Sequence, residues 1–374
     1  MTGRDDIPPP TRRAIEDLRR LEPPPDLLRS VVFDAGAKPQ RGRSLLGLRL
    51  ATFGPAAALV VMAVAFALPR LPNVGPPQSG GASPAGATLP PAGVVELRIR
   101  VPDGAHTGSA DTAGIFLGEP TTGIVLRLDP ATGAELGRVE VDPPTAEPYD
   151  VWPTSDGESI WVGGLSDRSL VRIDIDSMDV VTRWPIDAVP YRIQPAGDVI
   201  WVTDFDDHEV LAVDASDGTV LANVPVSRPT GIAVTADAIY VAGYAGTLVE
   251  IDPDDPRVVA THQIAANATD IMVLDGRLLV WGLRGRPLEL LDPATGEILA
   301  TSSAVTGVAL LEERPWAAVN GGKLVRLDPA TLAWTGAIPI GDVATDQLVA
   351  APDRLWAYAG SDAGTFIYAV SVRP

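Results

Sequence analysis

A short phrase written three times constrains this chain more than any other feature. Leu128-Asp129-Pro130-Ala131-Thr132-Gly133 recurs as Leu291-Asp292-Pro293-Ala294-Thr295-Gly296 and as Leu327-Asp328-Pro329-Ala330-Thr331, with looser copies starting at Asp174, Asp214 and Asp252. Each copy separates two short apolar alternations, so each predicts the turn of an antiparallel hairpin. The Asp carboxylate can accept the backbone N–H two residues on, Pro presets φ, and Gly tolerates the left-handed conformation that closes the loop.

The Asp of the phrase falls at 129, 174, 214, 252, 292 and 328, in steps of 45, 40, 38, 40 and 36 residues. A second marker keeps the same register: Phe116, Trp161, Trp201, Tyr240, Leu279, Trp316 and Trp356. Repeats near 40 residues, each holding four short strands, predict an all-β fold, a β-propeller, and seven markers predict seven blades. In the second blade the strands are expected at 149–153, 159–163, 169–174 and 179–185, and the sixth should end near Ile340. The seventh has only three strands, 347–351, 355–359 and 366–372. Its fourth is expected from Val94–Val101, which precedes the first blade and has no partner there. Closure by strands from both ends removes an open edge that would invite aggregation. The Trp series is expected to pack between blades.

The phrase LDPATG, with PTGIAV at 229–234 and IYVAG at 239–243, resembles the seven-bladed propellers of the YVTN and NHL type, which include streptogramin lyase-like and quinoprotein-like repeats. The resemblance spans 94–374 and implies a fold rather than one activity, since that group holds lyases, binding proteins and scaffolds. For a lyase it would imply a His and acidic residues with Mg²⁺ at the channel mouth, a role open only to His106 or His208. A quinone cofactor is not expected, because the repeat lacks the regular Trp of those eight-bladed enzymes.

Composition divides the chain. Residues 1–49 carry ten basic and seven acidic residues, which leaves 19 basic against 41 acidic residues in 50–374, a net charge of −22 there. Between the two lies 50–69, twenty residues without a charge, preceded by Arg41, Arg43 and Arg49. That length matches a transmembrane helix, and the basic flank predicts a cytoplasmic N-terminus with the acidic part extracytoplasmic. Residues 70–93 are rich in Pro, Gly and Ser and read as a linker. Within 1–49, Thr11 and Asp26 can cap two short helices, which read equally as a docking segment for a cytoplasmic partner and as a solvated basic leader that sets topology. This layout is similar to that of membrane-bound anti-sigma factors, although the His and Cys zinc ligands common there are absent, and it makes a transmembrane sensor one reading of the chain. With no Cys, disulfides and thiol chemistry are excluded. An outer domain of charge −22 disfavours nucleic acid and favours a cationic partner.

In a propeller the entry to each first strand and each second-to-third strand turn share the face of the channel mouth. Candidate ligand-binding residues there are His106, Tyr149, Asp150, Tyr191, Arg192, Thr230, Asp270 and Asp346. Convergent polar groups in a concavity suit a small ligand or a docked protein, and Thr or Asp there can equally satisfy backbone groups around a wet channel. Asp204, Asp206, Asp207 and His208 form the densest acidic loop and are the candidates for Ca²⁺ or Mg²⁺, though a solvated turn explains them as well. Arg284 and Arg286 offer the opposite charge to an anionic partner. No Gly-x-Ser-x-Gly, phosphate loop or His-x-x-x-His pair is present. The expected function is therefore binding or scaffolding, with no cofactor and without catalysis. A metal-assisted lyase is the alternative.

Overall fold

The computed structural model describes residues 89–119, 122–141, 152–164, 166–283, 285–341, 344–361 and 364–373. The segments 1–49 and 50–69, and most of the linker, lie outside them. Seven four-stranded antiparallel sheets follow one another. Blade one covers 106–140, blade two 154–185, blade three 190–225, blade four 229–263, blade five 268–304, blade six 307–339 and blade seven 344–372.

Ring closure follows the sequence expectation. The strand Gly93–Arg100 pairs antiparallel with Gly364–Val372, with Gly93 opposite Val372 and Arg100 opposite Phe366, and so becomes the fourth strand of blade seven. The preceding residues stitch on to blade six: Ala92 N donates to Ala337 O (3.1 Å), and Ala337 N donates to Pro90 O (3.1 Å). Ala92 is 3% exposed and packs in the same apolar cluster as Trp316. The chain thus enters on the face that carries the turn phrases. It also leaves there, since Arg373 N donates to Ala92 O (2.8 Å).

The core is a ring of seven apolar clusters, one between each pair of neighbouring blades. Trp161 packs with Ile193, Ile200 and Val202 of blade three. Trp201 packs with Ile232, Ile239 and Val241 of blade four, and Trp356 with Ile115, Leu117 and Leu126 of blade one. Phe116, Leu279 and Trp316 play the same part at 0%, 0% and 1% exposure, and Tyr240 lies at the margin of its cluster. The second marker is therefore the residue of each second strand that fills the seam to the next blade.

The turn phrase builds what its chemistry predicts. Asp129 Oδ1 accepts from Ala131 N (2.9 Å), Thr132 N (2.7 Å) and Thr132 Oγ1 (2.9 Å), and Gly133 takes φ +68°. A Cβ on Gly133 would fall 1.7 Å from Ile99 Cδ1, so space as well as φ requires glycine here. In the copy without glycine, Leu332 accepts φ +56° and is fully buried. The repeat also extends one step beyond the phrase. Just after each turn the fourth strand carries a bulge residue: Leu136, Val181, Leu221, Val259, Leu299 and Thr335, with Glu96 at the matching place in blade seven. Such bulges twist and interrupt the edge, which protects it from pairing with another chain.

One strand differs from expectation. The first strand of blade two is described only at Thr154–Ser155, against an expected 149–153; residues 142–151 are not described.

Candidate functional site

The mouth is built from the starts of the first strands, where the ladder slips by a residue. Shifts occur between Thr107 and Ser109, Pro190 and Arg192, Pro229 and Ile232, Ala268 and Asp270, and Thr345 and Gln347. Bulges re-aim side chains, and here they place Arg192 of blade three and Asp270 of blade five within reach of each other. Arg192 Nε and Nη2 donate to Asp270 Oδ1 at 3.1 and 3.0 Å, across the intervening blade four. Blade four contributes Gly231 at this level. A Cβ there would lie 2.6 Å from Asp270 Cα, so the glycine lets the inner strands of blades four and five approach closely.

Arg192 has a second partner type. Its guanidinium lies 3.9 Å from the Trp152 ring centroid and 4.8 Å from that of Tyr191. Thr269 Oγ1 completes the group by donating to Asp270 Oδ2 at 3.0 Å. The ion pair is partly solvated, at 15% and 29% side-chain exposure, so its charge attraction is screened. The ring contact adds on the order of 0.5–2 kcal/mol. From Tyr191 the rings continue outward: Phe205 lies 6.0 Å away, Tyr244 a further 6.0 Å at an interplanar angle of 78°, and Arg228 sits 5.4 Å over Phe205. These rings are half-buried, while Arg228 is exposed.

Of the residues expected at the mouth, the structure brings Tyr191, Arg192 and Asp270 together. Thr230 is elsewhere: it is 1% exposed, and its hydroxyl lies 2.8 Å from Ala242 O and 3.0 Å from Ala268 O. It ties the frame of blades four and five together and offers a ligand no surface. His106 begins the first strand of blade one and Asp346 lies at the bulge of the first strand of blade seven. Tyr149 and Asp150 lie outside the described residues. Trp152, Phe205, Tyr244 and Arg228 were not expected. The signal that could have found the two ring residues in turns is the aromatic placed in a polar loop, Phe205 among aspartates and Tyr244 between glycines.

The acidic loop is organised by its own turn and by Arg168. Asp204, 0% exposed, accepts from Asp206 N and Asp207 N through Oδ1 (both 3.0 Å) and from Val189 N through Oδ2 (2.8 Å). Asp207 pairs with Arg168, whose Nε also lies 3.2 Å from Asp187 Oδ1. The hydrogen bond that Arg168 donates to Asp207 holds Arg168 still more firmly charged. His208 adopts φ +62°, and its Nδ1 accepts from Arg228 N at 3.1 Å. Among the described residues no group of three or more His, Asp or Glu is arranged to hold a metal ion. Both oxygens of Asp204 are thus committed to the loop and one of Asp207 to Arg168, and no reaction step is derived through a metal.

Arg286 is not available to an anionic partner either. It is 3% exposed, Nη2 meets Glu289 Oε2 at 2.5 Å, and Nη1 donates to Val280 O at 2.8 Å. Burial pushes the Arg286 pKa down and the Glu289 pKa up, and their mutual attraction opposes both shifts. This pair fixes the second-to-third strand turn of blade five from within. Arg284 lies outside the described residues.

Fold and mouth together define a seven-bladed β-propeller. No protein-family model matches the chain, and no curated protein does. Solved structures resemble it in fold. BamB from Moraxella catarrhalis superposes with a TM-score of 0.54 at 15% identity, over 77% of this chain and 98% of its own. The propeller domain of Myceliophteria thermophila Cps50 (Swd1) gives 0.62 at 14% identity, over 75% and 100%. The computationally designed Ika8 protein gives 0.55 at 13% identity, over 75% and 100%.

Proposed function

We propose that the propeller is a recognition module that binds a protein or small ligand at its mouth and performs no catalysis, and that residues 50–69 hold it at a membrane with 1–49 in the cytoplasm. The observation that carries this reading is the Arg192–Asp270 pair stacked on Trp152 and Tyr191 and continued by Phe205 and Tyr244. Trp, Tyr and Arg are the side chains that dominate binding energy at interfaces, because they join large apolar area to a polar handle. The aromatic mouth lies on the face opposite both ends of the propeller. The fold superposes on BamB and on the Cps50 propeller domain, and the phrases of the repeat resemble the YVTN and NHL type. The net charge of −22 in residues 50–374 favours a cationic partner. The twenty uncharged residues with basic residues before them support the anchor and its orientation.

The test compares proteins that crosslink to the full-length chain and to its Trp152→Ala and Tyr244→Ala variants in membranes, with equal amounts of folded protein. A partner retained by the wild-type chain and lost by both variants is expected. An unchanged set of crosslinked proteins would sink the mouth as the binding face.

A further inference from the structure

We propose that the partner segment taken by this mouth is a basic stretch of polypeptide, laid along the aromatic row from blade two to blade four; this rests on the reading of the mouth as the binding face. The row alternates rings and guanidinium groups. Arg192 lies against Trp152 and Tyr191, Phe205 bridges Tyr191 and Tyr244, and Arg228 covers Phe205. The protein's own side chains therefore show the chemistry that this surface accepts: a flat cation on a ring face with a carboxylate at its edge, as Arg192 has in Asp270. A guanidinium or ammonium group over an aromatic face is attracted by the ring quadrupole, by about 0.5–2 kcal/mol.

Charge beside the row decides the sign of the occupant. The two mouth loops of blade three carry four carboxylates, Asp187, Asp204, Asp206 and Asp207, against two guanidinium groups, Arg168 that pairs among them and Arg228 over Phe205. Asp187 keeps 99% and Asp207 49% of its side chain exposed, and Asp206 is exposed as well. Of these, the exposed Asp206 and Asp207 follow Phe205 in the same turn. A partner arginine or lysine can thus continue the alternation on the exposed part of Phe205 and Tyr244 while its charge meets the excess of carboxylate. An acidic segment would face that excess unpaired. A polypeptide, rather than a small polycation, matches a row that extends over three blades, because successive side chains can use successive rings.

Titration calorimetry on the full chain in detergent tests this with three probes: a synthetic peptide of alternating arginine and proline, its glutamate counterpart, and spermidine. The arginine peptide is expected to bind, the glutamate peptide not, and spermidine far more weakly. Phe205→Ala and Tyr244→Ala should each weaken the peptide by about tenfold, within the range of a lost cation–ring contact. Phe205→Tyr should retain affinity, as should Asp217→Ala on the opposite face. Because a merely acidic surface would hold the peptide regardless of the rings, equal affinity in wild type and Phe205→Ala overturns the proposal. So does spermidine competing as well as the peptide. If a crosslinked partner is lost by Trp152→Ala yet the arginine peptide neither binds nor displaces it, the mouth stands as the binding face and the basic occupant falls.

Discussion

At the scale of single residues, hydrogen bonding of carboxylates to backbone sets the response to acid. Asp129 and Asp174 are held below the usual carboxylate range first by the backbone N–H groups of Thr132 and Ser177, and Asp214 and Asp328 first by the hydroxyls of Ser216 and Thr331. A pKa lower in the folded than in the unfolded state stabilises above the unfolded value, near 4, and the benefit is lost as pH falls through the folded values. The melting temperature should therefore hold steady from about pH 7 to 5 and fall below about pH 4. The fall should be shallower in the quadruple variant Asp129→Asn, Asp174→Asn, Asp214→Asn, Asp328→Asn, as thermal scans across that range would register. Arg286 and Glu289 make the opposite case. With 1% and 4% side-chain exposure, removing one partner strands a buried charge, so Arg286→Met should cost about 3–5 kcal/mol in denaturant unfolding, and Arg286→Met with Glu289→Leu should recover most of it.

At the scale of strands and blades, the structure depends on seams and on one closing strand. Trp316 lies 1% exposed between blades six and seven, and Trp316→Ala should cost about 3–5 kcal/mol, read from the midpoint of urea unfolding. Deleting residues through Val101 would bare the edge of Gly364–Val372 and remove the stitch to Ala337. That truncated chain should aggregate or melt far below the full chain, and size-exclusion chromatography with a thermal scan decides it; a monodisperse product with unchanged melting temperature would contradict closure by this strand. These elements were legible in the sequence because their causes are local and repeated. The Asp that accepts its own turn recurs in six blades, and the residue that fills the seam recurs in all seven and is aromatic in six. The mouth was legible only in part, because its geometry is long-range. Arg192 meets Asp270 across a whole blade, a distance set by the curvature of the ring and by Gly231. Thr230 occupies the same sequence position as its mouth neighbours, yet its hydroxyl turns to two carbonyls, a choice that depends on the adjoining blades. Arg286 looked free because nothing in its loop announces the burial of Glu289 three residues on.

At the scale of the whole molecule, two faces of one ring have been given different work. One face carries the turn phrases and both ends of the propeller; the other carries the rings, the ion pair and the exposed carboxylates. The proposed topology adds that both faces lie outside the cell membrane while residues 1–49 lie inside. The absence of Cys makes this readable by labelling, since each introduced thiol is the only one in the chain. Asp206→Cys reports the mouth, Thr295→Cys the turn face, and Ala37→Cys the N-terminal segment. In intact cells a membrane-impermeant maleimide should modify the first two and spare the third, which should react only after lysis. Labelling of Ala37→Cys in intact cells, or protection of both propeller positions until lysis, would reverse the topology. Added partner or arginine peptide should then slow labelling at Asp206→Cys and leave Thr295→Cys unchanged, because occupation of the mouth shields one face of the ring and cannot reach the other.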